Sequence, residues 1–165
     1  MLMNSLVLGI DLGTTGLRIA IINTKKQILY TSSMPYTTGL EIWEDWVYCL
    51  KKLIQEAPKD FKKRLVTCAI AGTSGTLLAC KYNGVPIGKA LPYFLSCSEY
   101  KNEINSLFLK ECAGSSISGS VGRALMLLAE YGNEIILRHQ ADWISGWLLN
   151  NWKYGEEGNN IRMGW

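Results

Sequence analysis

An apolar run that ends on an aspartate and turns straight into a second apolar run constrains this chain more than any other feature. Leu6-Val7-Leu8-Gly9-Ile10 reads as a strand, Asp11 closes it, Gly13-Thr14-Thr15-Gly16 makes a turn, and residues 17–22 form the second run. Asn23-Thr24-Lys25-Lys26 breaks that run, and residues 27–32 read as a third strand. Strands joined by turns this short pair with the neighbour they turn back on, so the expectation is an antiparallel three-strand meander over residues 5–11, 17–23 and 27–33.

A helix follows. Trp43, Trp46, Val47, Leu50, Leu53, Ile54 and Ala57 recur at spacings of three and four, and Pro58 ends the pattern. Residues 65–71 are nearly all apolar, as expected of a strand buried on both faces, and the helix before them is the crossover that sets this strand parallel to the first. Gly72-Thr73-Ser74-Gly75 forms a loop, residues 76–82 another strand, and Asn83-Gly84 a tight turn. Beyond Pro92 the patterning is helical over about residues 98–112, 122–131 and 141–150, and residues 155–165 form a polar, Gly/Asn-rich tail. The order βββ–α–β followed by helices predicts an α/β fold, a mixed sheet with helices packed on it. With 165 residues there is room for one domain with a real core, expected to span 1–165.

Composition removes several function classes. Apolar residues make up 48% and charged residues 19%, which is globular and not disordered. The net charge of +3 is spread without a Lys/Arg cluster, so nucleic acid is not an expected partner; Lys25-Lys26, Lys51-Lys52 and Lys62-Lys63-Arg64 read as solvated surface. Cys49, Cys68, Cys80, Cys97 and Cys112 are odd in number, scattered, and accompanied by one histidine. That pattern suits mostly buried structural thiols in a reducing, cytoplasmic setting rather than a disulfide framework or a metal cluster. The apolar start lacks a basic flank and is interrupted by Asp11, unlike a signal peptide, and no run is long enough to span a membrane.

The chemistry-bearing stretch is Gly9-Ile10-Asp11-Leu12-Gly13-Thr14-Thr15-Gly16-Leu17-Arg18. Backbone N–H groups and two hydroxyls of a Gly/Thr turn suit a phosphate. A carboxylate at the strand end suits hydrated Mg²⁺, and an arginine beside it suits a transferring phosphoryl group. No G-x-x-x-x-G-K-[ST] occurs and a strand follows the turn, so this is not a P-loop. The same residues also suit an ordinary hairpin, with Asp11 as a turn-stabilising side chain and Arg18 as a solvated charge.

The stretch resembles the first phosphate motif of the FGGY carbohydrate kinases, and the likeness continues along nearly all of the chain. Trp43-Glu44-Asp45-Trp46 stands where that family has a Trp-rich helix. Ala69-Ile70-Ala71-Gly72-Thr73-Ser74-Gly75-Thr76 is similar to its strand and substrate loop, and Ser118-Gly119-Ser120-Val121-Gly122-Arg123-Ala124-Leu125 to its Ser-rich helix entry with a basic residue. Ala141-Asp142-Trp143-Ile144 resembles its Ala-Asp-Trp-Leu segment, and Asn159-Asn160-Ile161-Arg162-Met163-Gly164-Trp165 its Asn-Ala-Leu-Lys-x-Gly-Tyr segment. The Gly72-Thr73-Ser74 loop leans toward a pentulose kinase subfamily of photosynthetic organisms. The resemblance implies an actin-like ATPase (ribonuclease H-like) fold and ATP-dependent phosphoryl transfer to a sugar, a pentulose, or a polyol. ATP and Mg²⁺ are the implied cofactors. Asp11, Gly13, Thr14, Thr15 and Arg18 would lie at the phosphates, with Asp11 also at the metal, and Thr73, Ser74 and Trp43 at the substrate.

Two departures qualify that implication. Where the family has Trp/Tyr-Asn-Asp-x-Arg, whose Asp and Arg hold sugar hydroxyls, this chain has Tyr93-Phe94-Leu95-Ser96-Cys97. Leucine accepts no hydrogen bond, so the sugar pocket is expected to be altered or lost. The family's catalytic base and second, ATP-binding domain lie beyond Trp165, so the chain is expected to be an incomplete first domain, inactive alone. It is also expected to self-associate or to bind the missing remainder through an apolar late segment carrying four of the six tryptophans. A non-catalytic relative that binds a ligand or a partner is the rival reading. A chaperone or filament protein of the actin-like group is disfavoured by the tryptophan helix and Asp142-Trp143. Thr73 and Ser74 also suit plain loop hydroxyls, and Trp43 and Trp46 core packing, with Trp43 at the pocket mouth. His139 reads as a surface or helix-start residue, and Asp142 as packing or capping near a helix start.

Overall fold

The computed structural model describes residues 4–109 and 112–164. The chain divides into two compact units, residues 1–72 and 73–165.

In the first unit the meander forms as expected. Strands β1 (Leu6–Leu12), β2 (Gly16–Asn23) and β3 (Ile28–Pro35) pair antiparallel. Helix α1 (Trp43–Glu56) and the single turn α2 (Lys59–Lys62) lead to β4 (Leu65–Gly72), which pairs parallel with β1, giving the order β3-β2-β1-β4. Alternation along β1 and β2 explains the layering. Leu6, Leu8, Ile10, Leu12, Leu17, Ile19 and Ile21 are buried, as are Trp46, Cys49, Leu50 and Leu53 of α1. Ile42 caps α1 without a side-chain bond. Asp45 in its first turn instead accepts N–H bonds from Thr38 (2.6 Å) and Gly39 (3.2 Å), tying the β3–α1 connection to the positive end of the helix.

One expectation here is corrected. β4 is not buried on both faces: Val66, Thr67, Cys68, Ala69 and Ala71 are exposed. The strand lies at the sheet edge, and among the described residues none pairs with its outer side.

The second unit holds a two-stranded antiparallel sheet of β5 (Leu77–Cys80) and β6 (Ile136–His139). Among the described residues four α-helices accompany it: α3 (Lys101–Leu107), α4 (Ser120–Tyr131), α5 (Gln140–Leu149) and α6 (Glu157–Ile161). Its core gathers Leu77, Ala79, Ala124 and Leu127, with Leu91, Tyr131 and Leu137 against them. β5 stops short of the expected residue 82 because Lys81–Gly84 closes the Asn-Gly turn, with Gly84 N–H donating to Lys81 O at 2.8 Å. α3 ends at Leu107, well before residue 112, because Phe108 turns extended. Residues 110 and 111 lie outside the described residues. α6 occupies part of the stretch that reads as tail in the sequence.

Two of the late tryptophans pack against Gly84. Trp143 is buried and donates its indole N–H to Gly84 O at 2.9 Å. Trp152 lies over Gly84, whose φ of +79° and nearness to the ring leave no room for a Cβ. Trp165 lies outside the described residues. Cys49, Cys80 and Cys97 are buried, and Cys68 and Cys112 are exposed. Among the described residues no helix is long and apolar enough to cross a membrane.

Candidate functional site

The Gly/Thr turn is a built feature of the first unit. Asp11 and Arg18 stand directly opposite each other on β1 and β2, and Arg18 Nη1 donates to Asp11 Oδ2 at 3.1 Å. Their register puts both on the sheet face away from α1, because Ile10 and Leu12, the neighbours of Asp11, are buried on the other. Gly13 N–H donates to Gly16 O at 2.9 Å and closes the turn; Thr14 and Thr15 are exposed at its tip. The glycines are set by crowding: a Cβ on Gly13 would meet Arg18 Nη1 at 2.7 Å, and one on Gly16 would meet Met34 O at 2.4 Å. Asp11 and Arg18 also edge a groove of about 700 Å³ floored by small residues, among them Gly9, Ala20, Ser33, Ala69 and Ala71. Both partners of the pair are more than half exposed. Such a pair contributes about 0–1 kcal/mol and is readily exchanged for a phosphate on the arginine and a cation on the aspartate. Among the described residues no three His, Cys, Asp or Glu side chains gather. One carboxylate, completed by water and phosphate oxygens, is the donor set that suits Mg²⁺ rather than zinc. Trp43 is half-buried, at the first position of α1.

In the second unit the two loop hydroxyls differ. Thr73 is tied inward: its N–H and Oγ1 lie 2.9 and 2.7 Å from Gln140 Oε1, and Oγ1 lies 2.7 Å from Thr76 Oγ1. It positions the loop. Ser74 instead lines a polar cavity of about 280 Å³ with Tyr93, Ser118, Ser120, Arg123 and Arg162. None of these last five is among the site residues that the sequence suggests. The signal that could have found three of them, Ser118, Ser120 and Arg123, is the Ser118–Arg123 stretch, a Ser-rich helix entry with a basic residue.

Arg123 organises this cavity. Its guanidinium, 1% exposed, donates from Nε to Gly75 O, from Nη1 to Tyr93 O and Leu95 O, and from Nη2 to Ser118 O, at 2.8 to 3.1 Å. The Leu95 backbone thus takes part in the polar framework while its side chain cannot. Cys97 is buried against Met126, with Sγ 3.3 Å from Sδ.

Below the cavity, Ser120 Oγ lies 2.9 Å from His139 Nε2, and His139 Nδ1 is 3.8 Å from Asp142 Oδ2, too far for a hydrogen bond. His139 stands at a helix start, one of the two places the sequence allows it, but it is buried and not on the surface. Burial, with Arg123, Arg162 and Arg138 nearby, pushes its pKa down to about 4, so the ring is neutral. Asp142 accepts from Glu156 N–H at 2.9 Å and from Asn159 Nδ2 at 3.1 Å, and holds the segment before α6.

Solved structures of sugar kinases share this architecture. Glycerol kinase of Plasmodium falciparum, determined with ADP, superposes on 96% of this chain with a TM-score of 0.79 at 14% identity. Xylulose kinase of Bifidobacterium adolescentis superposes on 93% with a TM-score of 0.70, also at 14% identity. The fold is that of the FGGY-type carbohydrate kinases. It is the actin-like ATPase fold, and this chain spans 37% and 36% of those two kinases. No family model matches the sequence.

Proposed function

We propose that this chain is the N-terminal part of a cytoplasmic carbohydrate kinase that transfers the γ-phosphoryl group of ATP to a hydroxyl of a small sugar, a pentulose in the first instance. The observation that carries the reading is the Asp11–Arg18 pair, set across two strands beside a glycine-closed turn on a sheet of the sugar-kinase kind. Asp11 would hold Mg²⁺ through water, and that ion would supply charge neutralisation between the phosphates. Arg18 would release Asp11 and turn to the phosphoryl oxygens, the Gly13–Gly16 turn would offer N–H groups to the same phosphate, and Thr14 and Thr15 their hydroxyls. Ser74 would meet the sugar, Thr73 would hold its loop in place, and Trp43 would stand at the pocket mouth. The general base and the adenine-binding domain belong to sequence outside this chain, so the chain alone is expected to be inactive, as an incomplete first domain over 1–165.

A coupled ATP-consumption assay with D-ribulose, D-xylulose and glycerol tests this. The 165-residue chain should show no turnover above background. A longer protein that contains it should turn over one of them, and Asp11→Asn should lower its kcat by about a hundredfold or more, as loss of a transition-state charge contact does. Robust turnover by the chain alone, or an Asp11→Asn enzyme of unchanged rate, overturns the reading. Leu95 and Cys97 favour a second reading, a non-catalytic relative that binds a ligand. It predicts ligand binding without turnover in the longer protein too.

A further inference from the structure

The cavity beneath Ser74 has the electrostatics of an anion site. Its lining among the described residues includes two arginines, Arg123 and Arg162, and no aspartate or glutamate. Arg123 is nearly fully buried, and among the described residues no carboxylate lies within ion-pair distance of it. Four of its five N–H groups go to carbonyl oxygens, which carry no net charge, and the second N–H of Nη2 has no acceptor among the described residues. A buried guanidinium without a counter-ion is costly, and an anion brought to it relieves that cost.

The backbone keeps this nitrogen open to the cavity. Gly75 has φ +92°, and a Cβ there would lie 2.9 Å from Arg123 Nη2. The cavity is also the N-terminal end of α4, a helix of 12 residues with Gly119 as its cap, no capping side chain and no acid in its first turn. The positive end of that helix is therefore uncompensated. Ser74, Ser118 and Ser120 also line the cavity, the Ser120 hydroxyl being engaged with His139 Nε2. The same positive field helps keep His139 uncharged. A volume of about 280 Å³ suits one small molecule of monosaccharide size and not a nucleotide.

We propose that this cavity binds the anionic group, phosphate or carboxylate, of a small polyhydroxylated ligand, with Arg123 Nη2, Arg162 and the first-turn N–H groups of α4 as its donors. Calling that ligand the kinase substrate rests on the function proposed above; the anion site itself does not. The acceptor would then be an acidic sugar rather than a neutral one. Its charge would be held by the two arginines, where the Leu95 and Cys97 side chains offer its hydroxyls nothing.

Isothermal titration of the 165-residue protein at low salt reads this directly, with inorganic phosphate, D-ribose 5-phosphate, D-gluconate and neutral D-ribose as probes. At least one anionic sugar should bind about tenfold or more tighter than D-ribose, and weaken as salt is raised. The two anionic sugars separate a phosphate from a carboxylate preference. Arg162→Ala should weaken anion binding about tenfold, and Ser118→Asp, which sets a carboxylate at the opening, should abolish it. Arg162→Ala leaves Arg123 in place, Ser118→Asp keeps the backbone carbonyl that accepts from Arg123 Nη2, and an unchanged melting temperature verifies that each variant is folded. Equal affinity for D-ribose and D-ribose 5-phosphate overturns the proposal, as does anion affinity indifferent to both substitutions, or no anion binding up to about 10 mM. Anion binding here, with no kinase activity in the longer protein, would sink the kinase reading and leave the site; turnover of neutral sugars without anion binding would do the reverse.

Discussion

At the scale of single residues, the turn between β1 and β2 is held by contacts that admit no side chain. A Cβ on Gly16 would lie 2.4 Å from Met34 O and 2.8 Å from Pro35 Cα, both backbone atoms that cannot rotate away. Gly16→Ala should therefore cost about 1–3 kcal/mol of unfolding free energy, because β2 and β3 must part to admit it. Gly9→Ala on the next strand, where the nearest atom is 3.7 Å away, should stay within about 1 kcal/mol. Urea unfolding of the two variants decides; equal losses would contradict the crowding argument. The thiols offer a second check. Burial raises the pKa of Cys49 and Cys97 and pushes that of Cys80 up to about 12. In the native protein only the exposed Cys68 and Cys112 should react with a thiol-specific disulfide reagent at mildly alkaline pH, the other three only after denaturation. Fast native labelling of Cys80 would contradict that burial.

At the scale of elements, the start of α5 places a neutral imidazole under the α4 terminus, which makes stability depend on pH. The folded pKa of His139, about 4, is below the value near 6.5 of the unfolded chain. Above both values neither state is protonated at this ring. As pH falls from 6.5 toward 4 the unfolded chain gains a proton that the folded one refuses, so stability is lost across that window. Asp142 acts in the opposite sense: its burial raises its pKa, so the fold takes up its proton more readily on acidification. Comparing the protein with His139→Gln isolates the ring: the stability difference between them should shift by roughly 2–3 kcal/mol between about pH 7.5 and 4.5 against the histidine protein. A difference independent of pH would place the ring in solvent. The elements also show what sequence pattern conveys. The meander and α1 are legible because their signals are local: short polar turns, strand alternation and apolar spacing of three and four. β4 is legible as a strand but its exposure is not, since a continuous apolar run does not say whether a strand has neighbours. β6 is hidden because Ile136–His139 is four residues long and runs directly into a helix. Arg123 is visible only as a basic residue at a helix entry. Its role comes from carbonyls of Gly75, Tyr93 and Leu95, some 28 to 48 positions away, which no periodicity reports.

At the scale of the whole molecule, the chain carries the architecture of a domain that in the solved kinases belongs to a protein nearly three times as long. The place where this bears on behaviour is β4. It is an edge strand of eight residues, Leu-Val-Thr-Cys-Ala-Ile-Ala-Gly, without a charge, a proline or a bulge at its centre, and Val66 is 63% exposed. Edges of soluble proteins are ordinarily blunted by lysine, by proline or by a covering element, because a row of unpaired N–H and C=O groups templates another strand. Trp143 is buried in the second unit and Trp152 packs on Gly84, and we expect the open side of β4 to be where the isolated chain self-associates. Light scattering behind size-exclusion chromatography should show an average mass that rises with concentration from micromolar upward. Thr67→Lys, a charge at an exposed position of the strand, should return the protein to the monomer mass without lowering its urea midpoint. If Thr67→Lys associates as readily as the parent, the adhesive surface lies elsewhere. If the parent stays monomeric throughout, the outer hydrogen-bonding groups of β4 are satisfied within one chain, and its amide hydrogens should then exchange as slowly as those of β1.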